Sequence, residues 1–288
     1  MRAISEILVL CSSSETSFAR AALEIEASES GSSVETLRNG MRSRLKDMER
    51  SVEEALSGSW RGLLVPEEAY LLQEYGADAS SFSSPFVLTA SRIAIAVSTY
   101  NAAMGRIVAA PTAGSCGILP GLLFSYREHF GCDDETLLSG LFAAAAVGAV
   151  TAARATLAGA SGGCQAECGA AAAMGAAALV QMRGGTPDAV GHAVALSYKS
   201  ILGLVCDPVG GLVESPCIKR NGLLVSLGAL AADMALAGLR SLIPPDEVID
   251  AMGQVGRALP ESLRETAGGG LAVTPTAREL VAKLLQKE

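Results

Sequence analysis

The run Leu137–Ala153, LLSGLFAAAAVGAVTAA, constrains this chain more than any other segment. It carries no charge, and its length is near the roughly 17–25 residues of a bilayer crossing. Most of it is Ala and Gly, however, which lack the insertion energy of Leu, Ile or Phe. Small side chains instead let neighbouring helices approach closely. The run therefore predicts a helix buried on all sides of a packed helical body, and no membrane span. The remainder of the chain agrees: half of the 288 residues are hydrophobic, yet only 4% are aromatic and 31 are Gly. A charged fraction of 18% excludes disorder over most of the length. Thirty acids against 22 bases leave a net charge of −8, so no basic field exists to hold a phosphate backbone, and no nucleic-acid partner is expected.

Glu6 interrupts the short apolar stretch MRAISEILVLC, and bulky Leu10 precedes Cys11. Neither a signal peptide nor a lipidation site is expected there, and the chain reads as cytoplasmic. Seven cysteines, an odd number, argue against a disulfide framework in such a compartment. Clustered Cys then means metal, catalysis or plain burial, and Cys164, Cys168, Cys206 and Cys217 form the cluster.

The fold class is mostly α: a compact bundle of Ala/Gly-rich helices. Alternating strand patterns and a βαβ rhythm are missing. Residues 1–60 read as an N-terminal amphipathic helical part. Within it, Val34, Leu37, Met41, Leu45, Met48, Val52 and Leu56 share one helix face, fit for core packing or for docking against another chain. Ser32 with Glu35 suggests a capping box, and Gly58 an end. Residues 61–86, rich in Gly, Ser and Pro, read as a linker region, and 87–288 as the main helical domain. Helices are expected over Pro245–Leu259 and Pro275–Leu285.

Three stretches resist a regular helix. In Asn101–Gly121, NAAMGRIVAAPTAGSCGILPG, the Pro and Gly residues break the helix until about Leu119. Thr112, Ala113, Gly114 and Ser115 could aim backbone N–H groups at a carboxylate or phosphate, or merely shape a packing loop. In SGGCQAECG, Cys164 stands where a helix begins and its orphan N–H groups favour a thiolate, though a buried Cys can also be a small hydrophobe. In LVCDPVGGLVESPCIKRNG, Cys206 and Cys217 flank a Gly-Gly reversal. Their spacing matches neither zinc knuckles nor the ferredoxin run, and leaves open a looser iron–sulfur site built from distant loops. His129 and His192 lack partners at metal spacing. Gly268-Gly269-Gly270-Leu271 is similar to a pyridoxal phosphate loop, but neither Lys199 nor Lys219 has a Schiff-base context, and no pyridoxal phosphate is expected.

Together NAAMGRIVAAPTAGSCGILPG, GGCQAECG, LGLVCDPVGGLVESPCIKRN, AADMALAG, IPPDEVIDAM and LRETAGGGLAVTPTARELV resemble, in order, the blocks of the α chain of the iron–sulfur-dependent L-serine dehydratases. The resemblance implies that 87–288 is an iron–sulfur catalytic domain whose Gly-rich loops carry the ligands Cys164, Cys206 and Cys217 of a [4Fe-4S] cluster. Cys116 and Cys168 are expected to be non-ligands. Three thiolates leave one iron open as a Lewis acid, which implies dehydration of L-serine to pyruvate and ammonia. Asn101 and the turn Thr112–Ser115 are the candidates for the substrate carboxylate. An SSHT-type segment of the longer single-chain members is missing here, and so is their C-terminal Cys, since this chain ends LLQKE. A β chain is therefore the expected partner and a possible source of the catalytic base, which stays unassigned. An L-cysteine desulfidase, another β-elimination lyase with the same cluster, and a non-catalytic cluster-bearing or electron-transfer subunit are the alternatives.

Overall fold

The computed structural model describes residues 1–76 and 80–286. Residues 77–79 of the expected linker region and the last two residues of the LLQKE ending lie outside the described residues. Thirteen α-helices run through the described residues, with no named strand. The first three, α1 (Ile4–Ser14), α2 (Phe18–Ser30) and α3 (Val34–Ser57), lie against the body; α4 (Ala69–Gly76) leads to α5 (Pro85–Ala102). Then come α6 (Ile118–Phe130), α7 (Asp134–Arg154), the single turn α8 (Gly159–Gly162), α9 (Ala170–Met182) and α10 (Pro187–Lys199). The chain closes with α11 (Cys217–Leu236), α12 (Pro245–Ala258) and α13 (Pro275–Leu285). Both helices expected after a proline start are present, and Pro245 and Pro275 occupy their first turns, where a missing N–H costs nothing.

The centre of the molecule is α9, AAAAMGAAALVQM, in which every residue but Gln181 is buried. It packs against α6, α7, α10 and α11. Such a helix has no polar face to show, so Ala and Gly let its neighbours close in from several sides. The apolar run of the sequence is α7. It is the one helix among the described residues long and apolar enough to cross a membrane, and its most apolar stretch is two-thirds buried within the fold. Where helices cross, glycine sets the spacing. A Cβ on Gly228 of α11 would lie 2.9 Å from the Ala172 carbonyl oxygen of α9, and one on Gly121 of α6 would lie 2.6 Å from the Ala90 carbonyl oxygen of α5. Gly121→Ala should therefore destabilise the protein by about 1–3 kcal/mol, as overpacking does, despite the better helix propensity of Ala. A urea midpoint equal to or above that of the parent would refute this crossing.

On α3 the apolar stripe turns inward: Leu45, Met48 and Val52 are buried against α5 and α7, while Leu56 stays exposed. The stripe is spent on this chain's own core, which it shares with α5, α6, α7 and α9. The N-cap is Ser33, not Ser32. Ser33 has the extended backbone of a cap, and its hydroxyl accepts from the Thr36 N–H, so the expected pairing of Ser32 with Glu35 is displaced by one residue. Gly58 does end the helix.

Candidate functional site

Each segment that resisted a helix in sequence lies beside the others in space. Between α5 and α6 the chain crosses a cis Ala110–Pro111 bond into a single 3₁₀ turn, Ala113–Ser115. The Ser115 and Cys116 N–H groups close that turn, and the Gly117 N–H donates to Asn221 Oδ1 at 3.0 Å. Among the described residues, the N–H groups of Ala113 and Gly114 have no partner, so these two remain free to bind an anion. Asn101, at the end of α5, donates weakly to the Ala113 carbonyl at 3.4 Å.

Cys164 follows Gly163, whose φ is +75° and where an added Cβ would lie 2.7 Å from the Leu204 carbonyl oxygen. It opens a π-helical turn, Gln165–Gly169, that runs on into α9. Such a turn re-aims side chains, and π turns often mark functional sites. Cys206 lies in an extended loop clamped on both sides: its N–H donates to the Leu263 carbonyl at 2.9 Å, and its carbonyl accepts from Glu265 at 2.8 Å. The next residue, Asp207, is buried. It accepts from Arg220 at 2.8 Å and from the Leu271 N–H at 2.7 Å. The Gly268–Leu271 segment thus holds a carboxylate of this chain. Cys217 is the first residue of α11. Asn221, one turn on and fully buried, donates to the Cys217 carbonyl at 2.9 Å and the Gly114 carbonyl at 2.8 Å. That side chain ties the 112–117 turn to the Cys217 helix end.

The sulfurs meet around Cys164. Its Sγ is 3.7 Å from Cys168 Sγ, and the ligand atoms of Cys164, Cys206 and Glu167 all lie within 4.8 Å of one another. Hydrogen bonds from the Cys168 thiol and then the Cys206 thiol hold Cys164 well below the usual thiol range, against burial and with help from the Arg220 charge. The donors move the other way: Cys168 and Cys206 are raised, first by those bonds and then by burial. Burial, then the Cys164 charge, push Cys217 up to about 12. Buried sulfurs, with Cys164 held low and a guanidinium alongside, suit a soft cation. The sulfur of Cys217 stands outside the tight group but within the reach of the Cys164 charge. Cys168, expected to be a non-ligand, touches only Cys164 of that group and turns its thiol toward the Gly114 carbonyl at 3.8 Å. Cys116 is buried beside Ser98, and burial pushes it up to about 12.

Glu167 was not singled out by sequence, because in QAEC it reads as one more helical residue. The π turn points it at the site. Its Oε2 is 3.9 Å from Cys206 Sγ, and a Cβ on Gly159 would come within 2.5 Å of that oxygen. Both of its oxygens face Gly114, 3.5 and 3.6 Å from where a Cβ would be, and the Thr112 hydroxyl is in hydrogen-bond reach. Burial, then the charge of Cys164, raise its carboxyl to about 7. Its position three residues after Cys164 is the signal that could have found it. His129 pairs instead with Thr89, and His192 with the Ser241 N–H.

Comparison with known proteins gives this arrangement a context. Residues 13–272 match the family described as serine dehydratase alpha chain. The chain is 51% identical over 242 residues to the probable L-serine dehydratase, alpha chain, of Bacillus subtilis (strain 168), covering 83% of this chain and 80% of that protein. It is 47% identical over 214 residues to the L-serine dehydratase, alpha chain, of Peptoniphilus asaccharolyticus, covering 74% and 73%. L-serine dehydratase 1 of Escherichia coli (strain K12) is 41% identical over 183 residues, which cover 62% of this chain but only 40% of the longer protein.

Proposed function

The chain belongs to the serine dehydratase α-chain family, and from that premise we propose that it dehydrates L-serine to pyruvate and ammonia in the cytoplasm, together with a β chain, as an L-serine ammonia-lyase. The observation that supports this reading is the grouping of Cys164 and Cys206 with Glu167, beside the 112–117 turn that Asn221 ties to the Cys217 end of α11.

The donor set fits an iron–sulfur group: buried soft sulfurs, with Cys164 held well below the usual thiol range and the Arg220 charge alongside. Cys164, Cys206 and Cys217 would hold a [4Fe-4S] cluster. When bound, such a cluster supplies an iron without a protein ligand, a Lewis acid that stabilises the departing hydroxide. This chain's residues supply the positioning. The free N–H groups of Ala113 and Gly114 receive the substrate carboxylate, with Thr112 and Ser115 shaping the turn and Asn101 bracing its outer edge. Asn221 fixes the distance between that carboxylate and the thiols. Burial of the thiols excludes water from the breaking C–O bond. Loss of water from serine leaves an enamine that tautomerises and hydrolyses to the products. Neither histidine contacts these groups, and the β chain is the expected source of the group that takes the Cα proton.

A serine-to-pyruvate assay on anaerobic protein, with and without the β chain, tests this reading. Pyruvate is expected from the mixture and little from the single chain. Full turnover by the single chain removes the partner; iron-loaded mixture without pyruvate removes the activity. Borohydride should also leave Lys199 and Lys219 free of reduced pyridoxal phosphate, and an adduct on either lysine would contradict the iron chemistry.

A further inference from the structure

Besides the exposed Glu265, whose charge reaches Glu167 and Cys206, three carboxylates stand around the turn and the thiols, and two of these are already spent. Asp207 is paired with Arg220 and the Leu271 N–H. Glu214 accepts from the N–H groups of Leu63, Leu64 and Val65. Glu167 is different: among the described residues it forms no ion pair, and it lies under Gly159 beside the sulfurs of Cys164 and Cys206. The nearby Arg220 guanidinium is committed to Asp207 and to the Val205 carbonyl. A zwitterion entering here brings two charges. Its carboxylate has the free N–H groups of Ala113 and Gly114; its ammonium needs an anion next to them, and Glu167 is the carboxylate that borders Gly114.

We infer that Glu167 binds the α-ammonium of the amino-acid substrate and so selects amino acids over hydroxy acids of the same skeleton. The inference rests on the serine dehydratase reading above. Its two parts follow from one geometry: the carboxylate faces Gly114, where an ammonium beside a bound carboxylate can reach it, and its contact with Cys206 keeps the side chain over the thiols.

The test uses the anaerobic, iron-loaded protein with its β chain. Binding of L-serine and of 3-hydroxypropionate, which lacks only the amino group, is read from the change each makes in the visible absorption of the cluster. The parent protein should prefer L-serine. Glu167→Gln should keep its iron and lose about tenfold or more of that preference, the scale of a charge-assisted hydrogen bond, with 3-hydroxypropionate little affected. Gly114→Ala offers a second variant. Its added methyl makes only ordinary contacts at 3.5 Å, and it narrows the space before Glu167. It should weaken L-serine more than 3-hydroxypropionate. Iron loss in Glu167→Gln would make Glu167 a metal ligand and overturn the inference. An unchanged preference in both variants, with turnover lost, would make it the proton acceptor and overturn it equally. If the iron-loaded parent neither binds L-serine nor forms pyruvate, the serine dehydratase reading itself fails, which the variants alone cannot produce.

Discussion

Cys164→Ser protein, purified without oxygen, is expected to lose essentially all of its iron and visible absorption, where the parent should hold about four irons per chain. Cys164 is the thiol that its surroundings make a thiolate: Cys168 and Cys206 donate to it, and Arg220 stands beside it. A serine hydroxyl in that place is a far weaker acid and a hard oxygen ligand, so it replaces neither the charge nor the softness of sulfur. The Cys206→Ser and Cys217→Ser variants should behave alike, and serine turnover should fall at least about a hundredfold in each, as follows from losing a Lewis acid worth several kcal/mol. Cys11→Ser and Cys132→Ser should keep their iron, since neither thiol approaches the others. Cys168→Ala is the sharper control: its sulfur touches Cys164, yet it is expected to retain iron. Iron and sulfide analysis decides the matter. Full iron in all three ligand variants would sink the assignment, and loss of iron in Cys168→Ala would make Cys168 a fourth ligand.

The helical class and the irregular segments were legible in sequence because both depend on local rules. Ala-rich runs without alternation can only be helices, and Pro111, Gly114, Gly117 and Pro120 break a helix wherever the chain goes next. The start of α6 was placed to within one residue on that basis. Polar residues whose partners are distant in sequence were not legible. Asn221 reaches across 107 residues to Gly114, and Glu214 across about 150 to the 63–65 backbone. Nothing local distinguishes either from a solvated helix or loop residue. Glu167 escaped for another reason: only the π turn, which no residue pattern in QAECG announces, swings it toward the thiols. The Ser32/Ser33 ambiguity is smaller. Both serines can cap, and only the backbone reveals which has the extended conformation. The Gly/Ser/Pro content of 61–86 fits the irregular 61–68 stretch but does not announce α4 (Ala69–Gly76) within it, nor where the 63–65 N–H groups go.

Those N–H groups lead to the second large effect. Glu214→Ala should cost about 3 kcal/mol or more of stability, because hydrogen bonds to a carboxylate are worth roughly 1.5–3 kcal/mol each and three are lost together. Glu214 is buried immediately before the cis Ser215–Pro216 pair and three residues before Cys217, and its carbonyl accepts from the Ile218 N–H. One oxygen takes the Leu63 N–H at 2.9 Å; the other takes Leu64 at 2.8 Å and Val65 at 3.0 Å. The approach is so close that a Cβ on Gly62 would lie 2.1 Å from the carboxylate, so only glycine fits there. An ion pair between Lys219 and Glu68 fastens the same strap a few residues on. Without the carboxylate, three N–H groups must find water, and the strap comes away from the first turn of α11. Denaturant unfolding should show the lost stability, and limited proteolysis should cut near 61–68 before the core opens. Glu214→Gln, which keeps one acceptor oxygen, should fall between the variant and the parent. Because Cys217 heads the helix that the strap covers, Glu214→Ala should also load iron less fully even at temperatures where it remains folded. Parent-like stability together with parent-like iron would show that the strap is held by its other contacts, and that the buried carboxylate is incidental to the thiol site.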